Sequence, residues 1–191
     1  MKVLVVYAHP NQKSFNHAIL EEFTRGLKDS GHAYEVADLY AVDFDPRVKL
    51  EELAQFSGGQ VANDALNHQQ KVASADALAF IHPMWGWSIP AILKGWLERV
   101  FSYGFAYTAS EKGMEGLLKH NKALVLSTTG GPEDYYKSSG YLDAHMKIAN
   151  GFFNPSGINN VEYTCFYAVQ SVADDERKKY LETAYHLGKE F

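Results

Sequence analysis

Three short stretches hold residue types able to bind and orient a ligand: AHPNQKSFN at 8–16, HPMWGWS at 82–88 and STTGG at 127–131. In the first, His9, Asn11, Ser14 and Asn16 stand where a helical pattern begins. A helix start offers free N–H groups and a positive dipole end, which suit a phosphate. Ser14 could equally be a plain helix cap beside a solvated His9. In the second, Pro83, Met84, Trp85, Gly86 and Trp87 offer apolar walls and backbone amides. A flat ring such as an isoalloxazine needs such a slot, with N–H donors along one edge. The alternative is that Trp85 and Trp87 pack inward as core aromatics. In the third, Thr128, Thr129, Gly130 and Gly131 precede Tyr135 and Tyr136. Glycine there lets the backbone approach a ligand closely, or simply gives a strand-to-helix turn its geometry. Neither GxGxxG nor GxxxxGK(S/T) occurs, which disfavours a dinucleotide Rossmann site and a P-loop.

The elements that must position these stretches follow from hydrophobic patterning. Lys2 to Tyr7, Asp76 to Ile81 and Lys122 to Ser127 are continuous apolar runs, as strands buried on both faces require. His32 to Leu39 and Val161 to Val169 complete five strands. Phe15, Ile19, Phe23 and Leu27 recur at helical spacing, and so do Ile89, Ile92, Leu93, Trp96, Leu97 and Val100. Trp96 therefore reads as core, apart from any site. Weaker helical patterns cover Val61 to Ser74 and the middle of Pro132 to Phe153, and Asp174 to Glu190 reads as a closing helix. A short helix is expected at Leu50 to Phe56 within an irregular excursion, and Tyr103 to Lys119 reads as Gly-rich loop. Strand alternating with helix predicts an α/β fold with a parallel sheet between two helical layers. A three-layer αβα, flavodoxin-like arrangement with a five-stranded sheet of order 2-1-3-4-5 fits this rhythm, as one domain over 1–191. The three stretches then follow the first, third and fourth strands, near the switch point where such sheets bind ligands.

Composition narrows the function. The 191 residues carry 18 basic and 23 acidic side chains, a formal charge of −5, so no basic field attracts nucleic acid. No apolar run approaches the ~18 residues of a membrane span, and no signal-peptide pattern opens the chain. The lone Cys165 cannot form an internal disulfide and reads as a small buried core residue, compatible with a reducing cytoplasm. No metal site is expected.

YAHPNQKSFN, HPMWGWSIPAILKGWLERVF, FAYT and STTGG together, in this order, resemble the NAD(P)H:quinone oxidoreductases of the DT-diaphorase type and their small bacterial relatives. The resemblance runs from the N-terminus to about Tyr136, and more loosely to Val169. It implies one FAD or FMN per chain, NAD(P)H as diffusible donor, a quinone-like acceptor and a homodimer. It assigns His9, Ser14, Phe15 and Asn16 to the flavin phosphate. Pro83, Met84, Trp85, Gly86 and Trp87 fall to the ring edge, and Thr128, Thr129, Gly130, Gly131 and Tyr136 to the pyrimidine side. Tyr136 would also balance charge on the reduced ring. Phe105 and Tyr107 would cap the substrate pocket across the dimer interface.

The departures are specific. The histidine six residues beyond the tyrosine in mammalian members is Leu142 here, and His145, three residues on, is the candidate substitute for its proton-balancing role. Ala109 replaces the second pocket tyrosine, and the C-terminal extension of animal members does not follow the closing helix. The expected activity is ping-pong, two-electron hydride transfer from NAD(P)H to quinones or similar flat electrophiles. A flavodoxin-type electron carrier and a regulatory subunit of an ion-efflux system are the alternatives.

Overall fold

The computed structural model describes residues 1–111 and 113–191. Its elements begin with β1 (Lys2–Tyr7), α1 (Phe15–Asp29), β2 (Ala33–Asp38), a 3₁₀ helix (Leu50–Ser57) and α2 (Asn63–Ala73). Next come β3 (Ala77–Pro83), α3 (Ala91–Val100), β4 (Tyr107–Ser110), β5 (Gly113–Gly116) and β6 (Ala123–Thr128). The chain closes with α4 (Glu133–Ser138), α5 (Tyr141–Phe153), a 3₁₀ turn (Asn154–Ser156), β7 (Val161–Phe166) and α6 (Asp174–Lys189).

A five-stranded parallel sheet runs in the order β2-β1-β3-β6-β7. With the β4–β5 hairpin set aside, this is the expected 2-1-3-4-5 order. Strand order reverses between β1 and β3, so their carboxyl ends frame a crevice. The lack of alternation in β1, β3 and β6 is explained by burial on both faces. In β1, Leu4 and Val6 join a core with Ala65 and Val72 of α2 and Leu93, Trp96 and Val100 of α3. Val3, Val5 and Tyr7 join another with Ile19, Phe23 and Leu27 of α1 and Ala184 of α6. Trp96 is fully buried, as its place in the helical stripe predicts.

Three expectations change. The stretch read as loop from Tyr103 to Lys119 holds the antiparallel hairpin β4–β5, with Tyr107 opposite Gly116 and Ser110 opposite Gly113; Lys112 lies outside the described residues. Its strands are short and largely exposed, so no buried face imposes a pattern on them. The helical stretch after Pro132 is two helices, broken where Gly140 takes a left-handed φ of 76°. Cys165 is only partly buried, on β7, which is an edge strand of the sheet with no strand paired on its outer side among the described residues. Among the described residues, no helix is long and apolar enough to cross a membrane.

The excursion from 40 to 60 is tied down by α3. Arg99, fully buried, donates through Nε to Glu52 Oε1 at 3.0 Å and through Nη1 to the Asp45 carbonyl at 2.6 Å. It also grips Asp64 with both terminal nitrogens, at 2.7 and 2.8 Å. One turn earlier, Gly95 packs its backbone on Pro46, where a β-carbon would clash. These contacts fasten the excursion to α3.

Candidate active site

The loops after β1, β3 and β6 meet along one cleft of about 740 Å³. Its volume falls in the range of ligand pockets, ~300–1,000 Å³. The first loop forms one end. Ser14 caps α1, its Oγ accepting from the His17 N–H at 3.2 Å. The N–H groups of Phe15 and Asn16, first in the helix, have no acceptor one turn back. His9 Nδ1 accepts from the Asn11 N–H at 3.0 Å, which leaves Nε2–H as the donor of the neutral ring. Burial lowers the His9 pKa and favours that neutral form. Among the described residues no Lys or Arg lines the cleft, so an anion at this end would rely on the helix terminus and side-chain donors.

The second loop forms the wall. β3 continues through His82 and Pro83, and the Met84 N–H donates to the Thr128 carbonyl at 2.8 Å, pinning the loop to β6. His82 is buried at its base, where desolvation lowers its pKa to about 4. The Trp85 N–H donates to the Ser88 carbonyl at 2.9 Å, and the Ser88 N–H returns to the Trp85 carbonyl at 3.0 Å. Gly86 and Trp87, between them, have φ of 54° and 61°. That is the sign pattern of a type I′ turn, costly for a tryptophan. Trp85 and Trp87 are 45% and 48% exposed, so neither packs inward. Trp85 leans on His9, with ring centroids 5.5 Å apart, and Trp87 on Tyr141 at 5.3 Å. The Gly86 and Trp87 N–H groups have no acceptor among the described residues.

The third loop closes the far side. Thr129 Oγ1 accepts from the Ala168 N–H at 3.4 Å and donates to the Gly131 carbonyl at 2.8 Å. The Val169 N–H donates to the Thr129 carbonyl at 3.0 Å. These bonds draw the β7–α6 connection to the rim, where Ala168 takes a φ of 50°. Gly131 lies against Tyr136, and a β-carbon there would stand 3.1 Å from the ring. Tyr136 is buried, and desolvation raises its pKa.

All of His9, Ser14, Phe15, Asn16, Pro83, Met84, Trp85, Gly86, Trp87, Thr128, Thr129, Gly130, Gly131 and Tyr136 line this cleft. Tyr135, Val169 and Gln170 line it too and were absent from the expected site. The signal for the last two was positional: they follow the fifth strand, whose carboxyl end lies on the same edge. His145 does not reach the cleft. It is buried on α5, with Nε2 at 2.8 Å from the Trp87 carbonyl behind the turn. Phe105 and Tyr107 are also away from it. Phe105 borders a hollow beside Asp76 and His120, and Tyr107 packs against Tyr103.

The donor set fits a flavin. Among the described residues, Asn16 Oδ1 is buried without a partner, and nothing lies within 4 Å of a β-carbon built on Gly86 or Gly130, which leaves room over both backbones. The helix start suits its phosphate, and the exposed indoles and free amides suit a flat ring with a polar edge.

A parallel doubly wound sheet with such a cleft at its switch point defines an α/β protein of the class that binds ligands at its strand ends. The chain belongs to the family described by the flavodoxin-like fold, whose model matches residues 1–187. A Haemophilus influenzae protein named as an uncharacterized NAD(P)H oxidoreductase is 35% identical over 187 residues, spanning 96% of this chain and 92% of its own. The NAD(P)H dehydrogenase [quinone] 1 of Cavia porcellus is 31% identical, over 94% of this chain and 73% of its own. The solved NAD(P)H:quinone oxidoreductase from Methanothermobacter marburgensis superposes with a TM-score of 0.92 at 34% identity, covering 99% of this chain and 98% of that one.

Proposed function

We propose that this chain is a cytoplasmic, flavin-dependent NAD(P)H oxidoreductase that reduces quinones or similar flat electrophiles by two-electron, ping-pong transfer. The chain is an oxidoreductase enzyme, of the class its relatives are named for. The observation that carries the finer reading is the cleft, with its aromatic wall, free amides and helix-start donors. These features suit one bound FAD or FMN, held by Ser14, Phe15, Asn16 and the His9 ring at the phosphate end. Met84 to Trp87 and Thr128 to Gly131 would hold its ring. When bound, the flavin supplies the hydride-accepting and hydride-donating chemistry.

The protein's part is orientation and electrostatics. The exposed faces of Trp85 and Trp87 give flat substrates a surface to lie against, serving donor and acceptor in turn. The N–H groups of Gly86, Trp87, Gly130 and Gly131, which have no acceptor among the described residues, favour negative charge nearby. Tyr136, kept protonated by its raised pKa, is a neutral hydroxyl donor at the same rim. A homodimer is part of the proposal, since Phe105 and Tyr107 could cap only a cleft on another copy. The direct test is the absorption spectrum of the purified protein and the identity of the released flavin. NADH and NADPH oxidation with a simple quinone follows. A colourless chain that cannot be reconstituted with FMN or FAD defeats the proposal.

A further inference from the structure

His145 was expected to touch the chemistry, yet it lies behind the turn that faces it. What it touches is specific. Its Nε2 is 2.8 Å from the Trp87 carbonyl, so this nitrogen carries the proton and donates. The peptide unit holding that carbonyl also holds the Ser88 N–H, which donates to the Trp85 carbonyl at 3.0 Å. The peptide unit of the Trp85 carbonyl holds the Gly86 N–H, which has no acceptor among the described residues, and Gly86 lines the cleft. One imidazole is thus linked through two peptide groups to a free donor at the site. Hydrogen bonds in such a series polarise one another in the same direction.

The same contact bears on the turn's shape. Trp87 holds a left-handed φ of 61°, a conformation that persists only where the surroundings over-determine it. The Trp85–Ser88 pair of bonds supplies one constraint, and His145, fixed in α5, supplies another on the carbonyl of the strained residue itself.

We propose that His145 is a positioning residue that holds the Gly86–Trp87 turn and strengthens the Gly86 N–H as a donor to the ligand in the cleft. The proposal deepens the flavin reading and rests on it for the ligand, but not for the relay. His145→Leu removes the donor at similar volume, and His145→Gln keeps an N–H near the Nε2 position. In the flavin-free chain, the Gly86 amide proton resonance should move upfield in His145→Leu and stay near wild type in His145→Gln. FMN should bind roughly fivefold more weakly to the leucine variant, the worth of about one hydrogen bond, and near wild type to the glutamine variant.

An unmoved Gly86 resonance in His145→Leu overturns the proposal. Equal weakening in both variants also overturns it, because only bulk packing would then matter. If His145→Leu does not fold, His145→Asn, with a shorter reach, takes its place. Asparagine must behave as the loss and glutamine as the rescue, and equal behaviour sinks the relay. A wild-type chain that binds no flavin defeats the flavin reading alone, while the Gly86 resonance still decides the relay.

Discussion

Asn16 Nδ2 donates to Thr128 Oγ1 at 2.8 Å, joining the first turn of α1 to the last residue of β6 across 112 positions of sequence. Both side chains are buried, and the other Asn16 polar atom, Oδ1, is left without a partner among the described residues. The bond therefore fixes two walls of the cleft against each other. It also leaves one buried acceptor at a residue that lines the cleft.

Asn16→Leu should destabilise the protein by about 1–3 kcal/mol, because it leaves the Thr128 hydroxyl buried and unpaired. The double change Asn16→Leu with Thr128→Val should recover part of that loss, since both polar groups are then removed. Flavin affinity should stay low in single and double variants alike. Urea denaturation and flavin titration separate the two effects; full recovery of affinity in the double variant would show that Oδ1 does not contact the ligand.

Tyr136→Phe should leave folding intact, because the ring that packs on Gly131 is retained. If the hydroxyl stabilises developing charge, its loss should raise the barrier by roughly 2–4 kcal/mol, by analogy with an oxyanion hole. Stopped-flow measurement of flavin reduction by NADPH and of reoxidation by quinone reads this directly. Unchanged rates in both half-reactions would remove Tyr136 from the mechanism.

The sequence made the strand ends legible because strands buried on both faces announce themselves as uninterrupted apolar runs. Lys2–Tyr7 is bounded as its pattern predicts, and every residue expected at the cofactor lies along the one cleft. What pattern could not reach was long-range. Nothing local connects Val169 to Thr129, and their 3.0 Å bond exists only because β7 runs beside β6. His145 shows a different limit. Its place one helical step beyond Leu142, where the resemblance puts a histidine, set it near the site, but spacing does not say which side of a loop a side chain approaches. Cys165 failed for a third reason: apolar neighbours in sequence do not cover an edge strand whose outer flank pairs with no other strand among the described residues.

Acid should destabilise the fold before carboxylates titrate. His82 and His68 are buried, and desolvation lowers both pKa values to about 4 from an ordinary 6.5. Between those values the unfolded chain binds protons that the folded chain refuses, so stability rises with pH there. The contribution is fully present above pH 6.5 and is lost as pH falls toward 4. Urea midpoints measured from pH 7.5 to 4.5 should drop steadily, and His82→Asn should flatten part of that slope. A slope unchanged in this variant would mean that His82 titrates normally in the folded state.

The Arg99 network makes a prediction that separates folding from chemistry. Arg99 and Glu52 are buried together, while Asp64 is half-exposed at the other end of the guanidinium. Removing the cation by Arg99→Leu strands the Glu52 carboxylate in the interior, which should cost about 3–5 kcal/mol. Replacing both, Arg99→Leu with Glu52→Leu, removes the uncompensated charge and should recover most of it, because burying an ion pair gains little over apolar packing. None of these residues lines the cleft, so flavin content per folded chain should be unaffected in the double variant. Chemical denaturation and bound-flavin absorbance at matched folded fractions check this. If the double variant folds but loses flavin, the excursion from 40 to 60 shapes the cleft as well as its own packing on α3.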